Sequence, residues 1–506
     1  MRWFLPFVFV FLNSCIIHRV EVTPVELRDQ PEITVESPVK AHMKDGSTVV
    51  FEDGIRVRDG RVWGNGEKYD LSLNSGVETS SVSLDDLAAM ESFQSTVDRT
   101  ATTLGTGGAV VGGILGGGLL AVAIFGSCPT TYADIGGESI LEAESFSYSI
   151  VPNLEARDVD KLGTTARNDE VILEVRNEAL ESHYINQIEL LQVSHQKHQS
   201  VFPDPDGGLV VFDSPLHPIS AVDQSGHDLM GVLEYADGTP WRAETERLAR
   251  VSMQDLEDHI HLEFDIPPSQ DDVALLLRFR NSLLNTVLLY DVMLKGLGFQ
   301  ALDWMSARTP DLQMLKTAHW YNDRMGMRIE VWDQGRYREI AHVEDQGPIA
   351  WKELAVPLAV PSGARVKLRL SFLTDNWRID WVAAAPMQPV VPNVIPVRQV
   401  STTGQIDLEK TLSSLASPDT SYVMTKPGDR MKLSFDVKPE QEDNISTFFL
   451  AAQGYYIEWM RSDWLQPSDK VSVAPSDESL LRAIELWRDR RESFRHQFES
   501  SRIAVR

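Results

Sequence analysis

The sequence predicts a mainly β protein: a small N-terminal β barrel or roll, a Gly-rich apolar helix, two to three β-sandwich modules of jelly-roll-like form, and a C-terminal helix. Three observations carry this expectation. Apolar and polar residues alternate in short stretches, as in Val366, Leu368, Leu370 and Phe372 against Lys367, Arg369 and Ser371, the pattern of a sheet with one buried and one wet face. Asp-Gly and Asn-Gly pairs and 26 prolines punctuate those stretches, as turns between strands require. At 506 residues the chain is too long for one core, so several domains are expected. The 47 Lys and Arg against 74 Asp and Glu, a net charge of −27, leave no basic footprint, and no nucleic-acid partner is expected. A hydrophobic content of 42% argues against bulk disorder, and two cysteines rule out a disulfide scaffold.

The chain opens MRWFLPFVFVFLNSC. Arg2 precedes an apolar run from Trp3 to Leu12, too short to span a bilayer but suited to the apolar region of an export signal. Leu12-Asn13-Ser14-Cys15 follows. It resembles the lipobox of bacterial lipoproteins, with Asn13 where that family more often has Ala, Ser or Thr. The resemblance implies a lipoprotein-type signal over residues 1–15, lipidation of Cys15, membrane lipid as a partner and anchorage in a bacterial cell envelope, on its periplasmic or outer-membrane side. An ordinary signal peptide in which Cys15 is removed or incidental is the other reading. If Cys15 is acylated, Cys128 has no disulfide partner.

Residues 16–38, polar and Pro-containing, read as a tether. Residues 39–100 read as a small β domain, with hairpin turns expected at Asp45-Gly46, Asp53-Gly54, Asp59-Gly60 and Asn65-Gly66, and with Ser83 capping a short helix. No charged residue lies between Arg99 and Asp134. Within that window residues 102–127 would span about 39 Å as a helix, enough to cross the hydrocarbon core. Gly108, Gly112 and Gly116 recur every four residues and so share one helical face, where small residues let backbones approach. The segment resembles the glycine zippers of some bacterial envelope proteins, which implies membrane insertion or a homo-oligomer through this helix. A flexible linker is the alternative, but Ile114–Phe125 is very apolar for a solvated chain.

Residues 128–290 read as a β-sandwich, with Val171, Leu173 and Val175 on one strand face and Ile188 and Leu190 on another. Residues 291–386 read as a second sandwich, containing a hairpin about Asp333-Gln334-Gly335 and the run ARVKLRLSFLTDNWRIDWVAAA. Over about 70 residues the order of these strands resembles galactose-binding-like jelly rolls. Residues 387–465, which begin within the Pro-rich 386–397, read as a further β module, whose PGD, LSFDV, FFL and GYY elements resemble segments of bacterial extracytoplasmic proteins with ASPIC-type domains. Residues 466–506 end in an amphipathic helix, with Ile484, Trp487, Phe494 and Phe498 on one face. The 7 Arg and 4 acidic residues of 480–506 suit docking on the acidic body better than a lipid surface.

No nucleophile elbow, phosphate loop, HExxH or CxxC pair is present. No catalytic residue is assigned, and the chain is not expected to be an enzyme. His259 and His261 share a strand face, and His183, His195 and His198 lie close in sequence, but without acidic partners at motif spacing they read as ordinary strand histidines. Asp204, Asp206 and Asp213 are weak candidates for calcium, an ordinary turn serving equally well; no other metal or cofactor is expected. Trp304, Trp320, Tyr321, Trp332, Tyr337, Trp351, Trp377 and Trp381 crowd one region. Of these, Trp332, Trp351 and Trp381 read as core. Trp320, Tyr321, Asn322 and Asp323, with Asp375, Asn376, Trp377 and Arg378, read as loops that could hold a polar ligand. Three functions are consistent with these features. The leading one is a structural or interaction lipoprotein of the cell envelope, meeting an envelope protein. An envelope-anchored carbohydrate-binding protein with a glycan partner comes next, and a hydrolase with a site assembled from sandwich loops comes last.

Overall fold

The computed structural model describes residues 18–24, 33–36, 39–43, 48–51, 53–69, 77–97, 128–177, 181–268, 272–297, 312–358, 360, 363–402, 408–419, 421–425, 429–440, 443–458 and 476–494. Cys15, residues 102–127 with Gly108, Gly112 and Gly116, and Trp304 lie outside the described residues. Among the described residues no helix is long and apolar enough to cross a membrane. The chain divides into two compact units, one holding the described strands up to residue 97 and the other those from residue 128 onward.

In the first unit, β1 (His18–Pro24), β2 (Ile33–Val35), β3 (Val39–Met43), β4 (Thr48–Phe51), β5 (Ile55–Arg58), β6 (Arg61–Tyr69), β7 (Val77–Ser83) and β8 (Leu87–Val97) form one antiparallel sheet. Its order is β1-β8-β3-β4-β6-β5-β2, with β7 also paired to β6. The expected tether at 16–38 therefore contributes two strands, β1 on β8 and β2 on β5. Val39, Ala41, Val49, Phe51, Val57 and Val62 fill the core. Asp59 and Gly60, both with positive φ (53° and 69°), turn β5 into β6, as Asp-Gly pairs do in tight hairpins. Asn65-Gly66 makes no turn. It lies inside β6, where the register with β7 shifts and where a Cβ on Gly66 would come within 2.6 Å of the Phe51 ring. Asp45-Gly46 lies outside the described residues. The Ser83 hydroxyl does accept a hydrogen bond from the Asp85 amide (3.3 Å), but the helical turn stops at Leu84–Asp86 and the chain continues as β8. Pairing with β1 and β3 overrides the local helical preference.

The second unit holds four five-stranded antiparallel sheets. Its strands are β9 (Thr130–Ile135), β10 (Glu138–Glu144), β11 (Ala156–Lys161), β12 (Glu170–Arg176), β13 (Glu181–Gln196), β14 (Ser200–Pro203), β15 (Leu209–Phe212), β16 (Ser220–Asp223), β17 (Glu257–Asp265), β18 (Asp272–Asn281), β19 (Met327–Asp333), β20 (Arg336–Val343), β21 (Lys352–Leu358), β22 (Arg365–Leu373), β23 (Trp377–Val390), β24 (Asn393–Pro396), β25 (Gln399–Thr402), β26 (Val423–Thr425), β27 (Arg430–Asp436) and β28 (Asn444–Glu458). The sheets β10-β9-β12-β27-β25 and β11-β28-β13-β24, the latter with β26, share the core of Leu173, Ile188, Leu190, Leu433 and Leu450. The sheets β14-β15-β23-β18-β21 and β16-β17-β22-β19-β20 share the core of Leu262, Leu275, Leu277, Leu368 and Ile379.

One sandwich is thus inserted into the other, between β13 and β24. The pairing crosses the boundaries expected at 290 and 387. β17 and β18 pair with β22 and β23, and β12 and β13 pair with β27 and β28 from the far side of the insert. A bulge between Ile185 and Gln187 shifts the parity of β13. Ile185, Ile188 and Leu190 face the outer core, while Leu191 and Val193 meet Val201, Leu209 and Phe449 between the two sandwiches.

Helices α1 (Thr245–Arg250), α2 (Leu312–Met325) and α3 (Asp477–Phe494) flank these sheets with a π-helix over Val287–Leu294. Helix α3 carries the expected face. Ile484 and Trp487 are buried with Leu480 and Ala483 against Leu248, Leu284 and Leu288; the Phe494 side chain and Phe498 lie outside the described residues.

Candidate functional site

A cavity of about 500 Å³ opens in the second unit where both sandwiches and the helices converge. The outer sandwich supplies Glu144 at the end of β10, the loop after it with Ser147 and Tyr148, and Tyr456 of β28. The π-helix supplies Leu289, Tyr290 and Met293, helix α2 supplies Thr317, Ala318 and Tyr321, and the loop after β20 supplies Glu344, Asp345 and Gly347. A size of a few hundred Å³ with mixed apolar and convergent polar walls is typical of small-molecule sites, and π-helical segments often occur where function needs them.

Backbone hydrogen bonds fix the loop that carries Asp345. Asn281 Oδ1 accepts from the amides of Gln346 (2.7 Å) and Gly347 (3.1 Å). Glu144 Oε2 accepts from the amides of Ile349 (2.7 Å) and Ala350 (3.0 Å), and the Ser147 hydroxyl donates to the Gln346 carbonyl (2.8 Å). Gly347 has φ +96°, and a Cβ there would sit 2.4 Å from Ser147 Oγ and 2.8 Å from the Glu144 carboxyl, so only glycine fits. Asp345 Oδ2 accepts from Asn285 Nδ2 and from the Tyr321 hydroxyl, each at 3.1 Å.

Each of the two acids keeps one oxygen, Glu144 Oε1 and Asp345 Oδ1, buried and without a hydrogen-bond partner among the described residues. Burial pushes Glu144 up to about 7, with Asp345 adding to the effect and the Ala350 and Ile349 amides and Lys352 opposing it. Burial also pushes Asp345 up to about 6, restrained by Asn285 and Tyr321. Both groups therefore exchange protons near neutrality, whereas an exposed carboxyl would be ionised throughout that range. Beside them burial raises the Cys128 thiol and the Tyr148, Tyr321 and Tyr456 hydroxyls, so these stay protonated. Behind this wall Lys352 Nζ bridges Asp158 (2.7 Å) and Asp160. Burial opposes the Lys352 charge, but the two carboxylates outweigh it and raise its pKa.

The residues expected to form ligand loops divide sharply. Trp320, Tyr321, Asn322 and Asp323 are not in a loop: they belong to α2. Tyr321 and Asn322 line the cavity, Trp320 packs beside the α3 core and Asp323 is exposed. Asp375 and Asn376 lie in a turn that leads into Trp377 and Arg378 at the start of β23, and all four are buried. Asp375 accepts from the Ala243 amide (3.1 Å), Arg378 (2.9 Å) and Trp487 Nε1 (2.7 Å), while Asn376 and Trp377 donate to the Met325 carbonyl.

The other candidates have local partners. Trp332, expected in the core, is 46% exposed on the outer face of its sheet, stacked edge-on against Tyr337; its parity follows Arg328 and Glu330, not Ile329. His259 and His261 do share that outer face, bonded to Ser371 Oγ (2.9 Å) and the Tyr337 hydroxyl (3.0 Å). His183 is buried against Glu181 (2.7 Å), His195 meets Thr447 (2.7 Å) and His198 faces Asp213 (3.5 Å). Asp204 Oδ1 accepts from the amides of Asp206 and Gly208, an ordinary Asx turn. No group of three or more metal-ligating side chains occurs among the described residues. Glu144 and Asp345 escaped the sequence reading because 200 residues separate them and no spacing motif links them.

No family model matches the chain, and no curated protein matches it. Among solved structures, an uncharacterized protein from Listeria monocytogenes EGD-e is 12% identical, with 72% of this chain covered against 30% of that one and a TM-score of 0.15. A GH31 alpha-xylosidase from Xanthomonas citri is 9% identical, with 84% of this chain covered against 38% of that one and a TM-score of 0.15. The chain therefore spans less than two fifths of either, and likenesses this weak carry no argument.

Proposed function

We propose that this chain is a bacterial cell-envelope lipoprotein, held at the membrane through Cys15, whose nested sandwiches bind a small ligand in the cavity around Glu144 and Asp345. One observation carries the binding role: a cavity of about 500 Å³ whose wall sets two buried carboxyl groups, Glu144 and Asp345, among apolar and aromatic side chains, the make-up of small-molecule sites. Lipid attachment and the envelope setting rest on the Leu-Asn-Ser-Cys sequence.

The full-length protein should take up a small apolar fluorophore in this cavity. Ala318→Trp, which grows into the space from α2, should abolish the fluorescence gain while leaving the melting temperature within a few degrees. Equal uptake by both proteins would remove the binding reading.

Hydrolysis is a second reading, favoured by two carboxyl groups of one cavity that burial holds partly protonated near neutrality, as a general acid requires. Turnover of aryl glycosides or esters by the full-length protein, lost in both Glu144→Gln and Asp345→Asn, would establish it; blank screens would discard it.

A further inference from the structure

The polar groups in the wall of the cavity are engaged with the protein itself. The Tyr321 hydroxyl and Asn285 Nδ2 donate to Asp345 Oδ2. The Tyr456 hydroxyl donates to the Ser147 carbonyl (2.9 Å), the Ser147 hydroxyl to the Gln346 carbonyl (2.8 Å) and the Tyr290 hydroxyl to Glu458. Asn322 donates to Glu344 (2.7 Å), and Glu155 accepts from Asn186 (2.8 Å) and Tyr422 (2.7 Å). The last oxygens of the two buried acids, Glu144 Oε1 and Asp345 Oδ1, are sealed from water, and a ligand atom is no smaller than water. With the tyrosine hydroxyls drawn into these bonds, carbon is what the wall leaves for contact: the side chains of Ile150, Leu289 and Met293 and the rings of Tyr290, Tyr321 and Tyr456.

Charge narrows the class further. Four carboxyl side chains line the cavity, Glu144, Glu155, Glu344 and Asp345, and neither lysine nor arginine is among the described lining residues, so an anion is repelled. A cation must surrender its hydration on entering, and the buried acceptors that would replace that water are already bonded or sealed. Glu344 is exposed, and an ion pair formed in solvent gains little.

Resting on the binding reading of the same cavity, we propose that its ligand is an uncharged, mainly hydrocarbon molecule, held by contact with aliphatic and aromatic carbon. Removal of apolar surface from water drives its entry, and it leaves every hydrogen bond of the wall in place.

Triads of one skeleton and three headgroups test the class. The full-length protein is loaded with the uncharged fluorophore N-phenyl-1-naphthylamine at pH 7. It is then titrated with 1-naphthalenemethanol, 1-naphthoate and 1-naphthylmethylamine, and in a second series with hexan-1-ol, hexanoate and hexylamine. In at least one series the alcohol should displace the fluorophore at a tenth or less of the concentration that either charged member needs. A charged member acting within tenfold of its alcohol in both series would overturn the uncharged class and keep the cavity as a binding site. Six silent competitors, with the fluorophore still entering, would also count against the class. Calorimetry should show the preferred alcohol binding to the parent protein and at least tenfold more weakly to Ala318→Trp; equal binding by both would put the alcohol outside the cavity and overturn the proposal. Failure of the fluorophore to enter the parent protein would remove the binding reading and this one together.

Discussion

Gly347 concentrates in one position what the cavity demands of its backbone. Its φ of +96° is open to glycine, and the Ser147 hydroxyl and the Glu144 carboxyl occupy the space a methyl group would need. Gly347→Ala should destabilise the protein by about 1–3 kcal/mol, the usual cost of forcing a side chain into such a conformation. The measure is urea unfolding, read together with fluorophore uptake, which should weaken as the loop bearing Asp345 shifts. An unchanged midpoint would mean that the loop relaxes freely. Nothing in the DQGP sequence around Gly347 announces this role, because a turn glycine and a glycine pressed against a carboxyl look alike in sequence. Trp320, Tyr321, Asn322 and Asp323 read in sequence as one ligand loop; of the four, Tyr321 and Asn322 do reach the cavity, but from a helix.

At the level of elements, period decides what could be read. The 3.6-residue spacing of Ile484 and Trp487 identified the buried face of α3 correctly, since those side chains pack where the pattern puts them. The same holds for Val366, Leu368, Leu370 and Phe372 on β22. Tryptophan misled where parity was ignored: Trp377 is fully buried on the face shared with Ile379, and Trp332 is exposed. Helix α3 is tied to the body through Trp487, whose Nε1 donates to Asp375 Oδ2 (2.7 Å), and through Arg491, which donates to the Ala243 carbonyl (2.6 Å). Trp487→Ala should therefore cost about 3–5 kcal/mol, because it opens a large void and strips a donor from a buried carboxylate. Limited proteolysis should then cut on the N-terminal side of Asp477 faster than in the parent chain; no change in either stability or cleavage would show that the docking contributes little.

Across the whole molecule, pH should act through the buried acids. Glu144 and Asp345 hold protons in the fold at pH values where the unfolded chain has released them. Their contribution to stability is therefore complete below about pH 4 and is lost as pH rises through 6 and 7. Unfolding free energy should fall by roughly 1–3 kcal/mol per group over that interval, and Glu144→Gln should flatten the curve by its share. A parallel profile for parent and variant would contradict the assignment. The nesting of the sandwiches was not legible, because alternation shows that a strand exists and says nothing about its partner. β12 and β13 find theirs in β27 and β28, after the whole of β14–β23 has intervened.

That arrangement has a consequence for a chain made from one end to the other. The first half of the outer sandwich must wait, its apolar faces uncovered, until residue 458 has been synthesised. Premature stops late in the message should therefore be as ruinous as early ones, and the waiting strands are where a chaperone would be needed most.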